Sequence, residues 1–372
     1  MSVLALTTGM TTGVKYIGSK QALLGNILGF IAEKHPAPGR IIDVFTGTTR
    51  VAQAFRAAGW TVETSDLSWA SEAYAHAFLL RTAASGVRIP TLITRLRTAT
   101  ATATAPGWLT QHYCEATAVD DPTTRIQMWT RANGLRADAM RDTIAAWEAA
   151  GEISHHEAMI LVAALILALD KVDSSVGVQQ AYLKTWAARA LNPLDLQDLP
   201  APVDGPVAAA HHVGDCLSVS YGEADIAYID PPYSAHSYAT YYHIWDSITR
   251  WDKPAVGLKT NRRIDRVARS DGFDADMVSA WNSKRTALTA FIQLVERLPV
   301  RAVVVSYNDE SLVPLEALVK ALMERWPGTE VRGIAYRRNV MCKIGNAAGG
   351  SGGTKADAKT DNTEVLIWVP KV

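Results

Sequence analysis

The sequence predicts an α/β protein in which strands alternate with helices and a long helical stretch interrupts the alternation. Three observations predict it. Short apolar runs at residues 41–45, 224–229 and 302–305 each stop at a tight turn. Residues at helical spacing lie between such runs, as in Leu23, Leu24, Ile27, Leu28 and Ile31, or Leu288, Phe291, Ile292, Val295 and Leu298. From Ser71 to about residue 199 the strand rhythm disappears.

At 372 residues with 48% hydrophobic content, the chain can bury a large core, as one domain with an insertion or as two domains. Formal net charge is zero, so affinity for a polyanion must come from local clusters. Cys114, Cys216 and Cys342 are far apart, odd in number and outside CxxC or Cys/His spacing. That argues against a disulfide framework or a zinc site and fits a reducing cytoplasm. The residues before Lys15 do not read as a signal peptide, and the most apolar stretch, 158–169, is too short to span a bilayer. It reads as a buried helix.

Taken in order, Lys15-Tyr16-Ile17-Gly18-Ser19-Lys20 is a turn flanked by cations before a helix. Two lysines there oppose the helix dipole unless an anionic group joins them; solvated lysines are the plainer alternative. The strand at 41–45 leads through Thr46-Gly47-Thr48-Thr49-Arg50 into a helix that stops at Gly59. Such a turn brings backbone amides to a ligand, although tight turns also need glycine for steric reasons. A second strand, 61–64, ends at Ser65-Asp66, where nucleoside-binding α/β folds place an acid against ribose hydroxyls. In the middle of the chain, 97–106 reads as a loop, and 136–150 and 155–170 read as helices. Arg125, Arg131, Arg136 and Arg141 near Trp129 suit a phosphate backbone or a solvated face, and His155-His156 and His211-His212 read as surface pairs.

Strands resume after Pro206. Residues 224–229 run into Asp230-Pro231-Pro232-Tyr233, where neither proline can donate to a ladder and the chain must leave the strand. The aromatic stretch 238–245 follows, then Lys259, Arg262, Arg263, Arg266 and Arg269, a basic and non-apolar segment expected to be exposed. A helix, the strand 302–305, the turn Ser306-Tyr307-Asn308-Asp309 and a helix from Ser311 continue the alternation. The strands 331–336 and 364–369, joined by a glycine-rich loop at 345–353, read as an edge hairpin.

In this order the pieces resemble the adenine-specific DNA methyltransferases that use S-adenosylmethionine, with the cofactor turn first and Asp-Pro-Pro-Tyr last. Lys15 to Lys20 is similar to their Lys-aromatic-x-Gly-x-Lys element, Asp43-Val44-Phe45-Thr46-Gly47-Thr48 to their cofactor loop, and 228–233 to their catalytic turn. Residues 171–177, 181–184, 238–243 and 306–308 resemble segments of a restriction-modification subgroup. Thr49 departs from the pattern, standing where the loop usually has its last glycine, and its Cβ is expected to narrow the approach to the cofactor.

The resemblance implies a Rossmann-like, seven-stranded mixed sheet with helices on both faces and a reversed hairpin at one edge. It divides the chain into a catalytic domain, 14–80 and 205–372, and a helical target-recognition insertion, 81–204. It implies methyl transfer to the exocyclic N6 amine of adenine in double-stranded DNA after base flipping. Asp230, Pro231, Pro232 and Tyr233 would be catalytic; Tyr16, Lys20, Asp43, Phe45, Thr46, Gly47, Asp66 and Asp215 would hold the cofactor, Lys20 and Tyr16 at its methionine end. Tyr238 and Tyr241 would line the base pocket, and Arg262, Arg263 and Arg266 would contact phosphates. A cognate restriction endonuclease is an implied partner; no metal is implied. Two alternatives stay open, transfer to the N4 amine of cytosine and a DNA-binding module of the same fold that has lost its chemistry.

Overall fold

A computed structural model describes residues 11–371 apart from 115–127, 180–182, 184, 203–204, 236, 258–261, 268–273, 275–277, 310 and 338–360. Its frame is a seven-stranded sheet in the order β3-β2-β1-β4-β5-β7-β6. The strands are β1 (Arg40–Asp43), β2 (Thr61–Asp66), β3 (Ala210–Val213), β4 (Ala224–Ile229), β5 (Val300–Asn308), β6 (Glu330–Arg337) and β7 (Asp361–Pro370). Six strands point the same way, and β7 alone is reversed, antiparallel between β5 and β6. The mixed sheet and reversed edge hairpin are as expected; the glycine-rich loop of that hairpin lies outside the described residues. Residues 302–307 of β5 are buried on both faces, which is why they read as one apolar run without alternation.

Helices α1 (Leu24–Lys34) and α2 (Arg50–Ala57) share a core with Ile41, Val62, Ile226 and Tyr228, and α10 (Ala287–Arg297) and α11 (Leu315–Arg325) share another with Ile42, Ala227 and Val303. Strand residues alternate between the two cores, so each face of the sheet has its own helical layer. Burying one Leu, Ile or Phe in such a layer stabilises the fold by roughly 1.5–3 kcal/mol.

The helical stretch contains α3 (Ala70–Phe78), α4 (Ile89–Ala99), α5 (Trp108–Tyr113), α6 (Arg131–Ala149) and α7 (His155–Lys171). Helix α7 is apolar around its circumference and buried almost throughout, opened by a capping box from Ser154 and Glu157. Among the described residues no helix is long and apolar enough to cross a membrane. These helices do not stand apart. Their core runs on into α3 and into α9 (His243–Arg250), which follows the single turn of α8 (Tyr238–Tyr241) and contributes Ile244, Trp245 and Ile248.

Several expectations change. Helix α4 extends through Ala99, so only the later part of 97–106 is loop. The last helix begins at Leu315, with Pro314 at its N-cap, because a proline disfavours helical backbone at the residue before it. His211 and His212 are not a surface pair. They lie on β3, paired with β2, so His211 reaches Thr64 and Ser71 while His212 reaches Glu63. His155 and His156 do have partners, because α3 packs on α7: ligand atoms of Glu72, His76 and His155 lie within 4.8 Å of one another, and His76 Nδ1 is 2.7 Å from His156 Nδ1. Arg141 is buried and donates to the carbonyls of Ile248 and Thr249, and Arg136 donates to that of Leu194, so both hold helices together instead of facing a phosphate. Arg125 lies outside the described residues.

Candidate active site

Parallel strands point their C-terminal ends to one edge of the sheet, and the turns leaving β1, β2 and β4 meet there. Gly47, at φ 50°, takes a left-handed conformation that a side chain would strain, and its N–H donates to Asp66 Oδ2 at 2.8 Å. Asp66 Oδ1 accepts from the N–H of Ser68 at 2.8 Å, so this carboxylate ties the first turn to the second. Burial pushes Asp66 up to about 6 against those two hydrogen bonds. Asp43 is 1% exposed and accepts from Thr46 Oγ1 at 2.8 Å. Burial pushes Asp43 up to about 7, opposed by that bond and reinforced by Asp230 and Asp66.

The N-terminal segment docks on the same edge. Ile17 N–H donates to the Tyr242 hydroxyl at 2.7 Å, and the Tyr16 ring stacks on that of Tyr242 at 4.4 Å and on that of Tyr238 at 5.5 Å. Gly18 has φ 80°, and a Cβ there would lie 3.2 Å from the Tyr238 hydroxyl. The anions that the two lysines call for are the protein's own. Lys15 pairs with Asp173 at 2.8 Å and also with Asp170.

Lys20 is almost fully buried, and its ammonium lies 3.0 Å from Asp230 Oδ1, 3.0 Å from Glu364 Oε1 and 2.6 Å from the Tyr233 hydroxyl. That hydroxyl also lies 2.5 Å from Asp230 Oδ1 and 2.9 Å from Glu364 Oε1, and Ser306 Oγ donates to Glu364 at 2.8 Å. Burial works against the Lys20 cation, but Asp230 and Glu364 outweigh it and leave its pKa raised. Burial raises Asp230 despite Lys20, with Glu364 adding to the rise. The turn itself is pinned from outside: Leu312 N–H donates to the Tyr233 carbonyl at 2.9 Å and Asn282 Nδ2 to the Ser234 carbonyl at 2.8 Å.

One cavity, open to solvent, joins these turns. Its wall includes Tyr16, Lys20, Phe45, Gly47, Asp66, Asp215, Asp230, Pro231, Pro232, Tyr233 and Tyr238 of the residues singled out in the sequence. Asp43 and Thr46 lie behind the wall, bracing the turn. Tyr241 is outside the cavity. Among the described residues, neither Asp230 Oδ2 nor the Pro231 carbonyl accepts a hydrogen bond from the protein. Two acceptors without protein donors therefore stand side by side in the chain at the cavity wall.

The chain matches one family model over residues 16–300, that of the D12 class N6 adenine-specific DNA methyltransferases. The chain belongs to that family. It is 30% identical over 321 residues to modification methylase LlaI of Lactococcus lactis subsp. lactis, covering 82% of this chain and 48% of the relative. It is 28% identical over 322 residues to modification methylase StsI of Streptococcus sanguinis, covering 84% of this chain and 46% of the relative. Type II methyltransferase M.NlaIII of Neisseria lactamica is 25% identical over 337 residues, with 87% of this chain and 92% of the relative covered. The chain thus spans about half the length of the first two relatives.

For this methyltransferase-family chain the basic segment needs correction. Arg263 is 2% exposed, its guanidinium held by Asp252 at 2.7 Å and Asp265 at 2.8 Å and by Ser247 Oγ at 3.0 Å. Arg266 is also buried, 3.7 Å from Asp246, with its guanidinium over the Trp69 ring. Neither is placed to meet a phosphate, because the segment folds back over α9 and buries its charges against acids. Arg262 is half-buried beside Tyr241, and Lys259 and Arg269 lie outside the described residues. Thr49 does not narrow the cavity. It takes φ 63° itself, and its fully buried side chain accepts from Gln53 Nε2 at 3.0 Å, away from the wall. Sequence reasoning missed Glu364 and Trp281. An acid opening an otherwise apolar strand was a visible signal for Glu364; nothing local marks Trp281, whose ring meets Phe45 edge-on at 4.9 Å.

Proposed function

We propose that the chain transfers a methyl group from S-adenosylmethionine to the exocyclic N6 amine of adenine in double-stranded DNA, as the modification half of a restriction-modification pair. The single observation that carries the reading is the pair of acceptors, Asp230 Oδ2 and the Pro231 carbonyl, left without protein donors on the cavity wall. An exocyclic amine has two N–H groups and a lone pair delocalised into its ring. Two acceptors that take those N–H groups hold the nitrogen near tetrahedral with its lone pair free to attack, so positioning supplies much of the catalysis.

The donor set fits the cofactor. Phe45 and Trp281 give the cavity an apolar wall for a flat base, Asp66 stands at the end of β2 for ribose hydroxyls, and Gly47 lets the backbone approach closely. When bound, S-adenosylmethionine supplies a methyl group on a sulfonium, already electrophilic. Asp230 Oδ2 receives the proton that the nitrogen sheds once it is methylated. Tyr233 and Tyr238, both on the wall, offer faces for a base flipped from the duplex, a step that costs a few kcal/mol. Tyr241 and Arg262 lie just outside, toward the flanking strand, and the helices of 81–204 supply target recognition.

The test is transfer of labelled methyl to unmethylated duplex DNA with the product nucleosides identified by mass spectrometry. N6-methyladenine is expected, and Asp230→Ala is expected to abolish it while cofactor affinity stays within about threefold. N4-methylcytosine would overturn the base assignment, and cofactor binding without turnover on any DNA would favour a module without chemistry.

A further inference from the structure

The cluster around Lys20 permits a count of hydrogens. An ammonium has three N–H donors. Those of Lys20 have three partners within reach, the Tyr233 hydroxyl at 2.6 Å, Asp230 Oδ1 at 3.0 Å and Glu364 Oε1 at 3.0 Å. No N–H remains for a cofactor carboxylate. Every contact of the Asp230 side chain falls on Oδ1, and Oδ2 has no protein partner among the described residues. The catalytic carboxylate is therefore anchored by one oxygen through Lys20 and through the Tyr233 hydroxyl, whose single proton goes to the nearer acceptor, Asp230 Oδ1, and the Lys20 ammonium is in turn held by Glu364.

We propose that Glu364, on β7, is a positioning residue for the transfer step: it holds the Lys20 ammonium, and through it the Tyr233 hydroxyl, against Asp230 Oδ1, leaving Oδ2 for the substrate amine. Lys20 then serves the catalytic carboxylate and not the methionine end of the cofactor. Glu364 is itself 4% exposed and fixed by Ser306 Oγ at 2.8 Å, on a strand paired to β5 through Asn308. Removing it leaves a buried cation with one acid where it had two, free to turn toward the cavity. The inference rests on the methyl-transfer reading above, and it assigns no contact with substrate to Glu364.

The test compares Glu364→Gln with the unaltered chain by calorimetric binding of S-adenosylmethionine and by single-turnover methylation across pH. Glutamine keeps the size and an acceptor while removing the charge. Cofactor Kd is expected to stay within about twofold while the transfer rate falls by at least about thirtyfold. The titratable groups around Asp230 are Lys20, Glu364, Tyr233, Tyr228, Tyr238 and Asp43. Of these Glu364 raises Asp230, so the acid limb of the rate should move to lower pH in Glu364→Gln. Tyr233→Phe removes a hydrogen bond that lowers Asp230, so its acid limb should move the opposite way. Loss of cofactor affinity with the transfer rate retained would overturn the inference and return Lys20 to the cofactor. So would a rate and pH profile unchanged within about threefold. If Glu364→Gln does not fold, the Tyr233→Phe shift and a Ser306→Ala rate loss without a Kd change decide instead. An unaltered chain that transfers no methyl fails the earlier reading, which is a separate result.

Discussion

Two carboxylates, Asp43 behind the turn after β1 and Asp66 at the end of β2, put this site under electrostatic load. Asp43 rises from the ordinary carboxylate range to about 7 because burial disfavours its charge. The folded chain therefore holds a proton between about pH 4 and pH 7 that the unfolded chain has already released. Stability falls as pH rises through that window and levels off above it. Asp43→Asn keeps an acceptor for Thr46 and removes the charge. Its stability relative to the unaltered chain should be greater at pH 8 than at pH 5, by a difference on the order of 3 kcal/mol, read from urea denaturation at the two pH values. An equal difference at both would show that Asp43 ionises freely. Thr49 makes a second claim at this scale. Its left-handed backbone costs of order 1–3 kcal/mol, but its side chain points at Gln53. Thr49→Gly should leave cofactor Kd within about twofold; a tenfold gain would mean that the Cβ does obstruct the cavity.

At the scale of elements, the segment after α9 acts as a strap. Ile264 N–H donates to the Ala255 carbonyl at 2.8 Å and Gly257 N–H to the Arg262 carbonyl at 2.8 Å, which fold the chain back on itself. Arg263 is then closed in between Asp252 and Asp265 over Ser247 of α9. Cutting one partner out of such a buried pair costs about 3–5 kcal/mol, because the remaining charges lose their compensation. Arg263→Ala should lower the chain's melting temperature while the salt dependence of DNA binding keeps its slope. A slope reduced by about 0.9 would instead place Arg263 on a phosphate. Beside it, Asp246 Oδ1 accepts from Ser68 Oγ at 2.6 Å and from Ala70 N–H at 3.0 Å, so α9 also caps α3 next to the cavity. The aromatic helix is thus tied to the edge of the sheet where the cavity opens.

Across the whole molecule, the helices of 81–204 share one hydrophobic core with α3 and α9, with Trp129 and Trp245 meeting at 5.8 Å, and α3 also places Ala75 in the core that covers one face of the sheet. A chain built this way should melt in one calorimetric transition, and excising 81–204 should leave an aggregating product, because Ile244, Trp245 and Ile248 lose their cover. Two separated transitions would show an insertion that folds by itself. The site turns on the same economy of connection: β7 enters between β5 and β6 and carries Glu364 to a residue 131 positions earlier in the chain. Local chemistry made much of this legible in advance. The strand-turn-helix at Asp43 to Arg50, the acid at Asp66 and the Asp-Pro-Pro-Tyr turn are short-range patterns, since backbone φ and side-chain period act over a few residues. By itself the sequence determined the alternation of elements, the two turns and most residues on the cavity wall. Only the tertiary structure decided which charges are exposed and which carboxylate meets which cation. Burial and pairing depend on what packs over a residue from elsewhere, so Arg263 looked solvated, Lys20 looked free for a ligand, and Glu364 looked like the start of an ordinary strand.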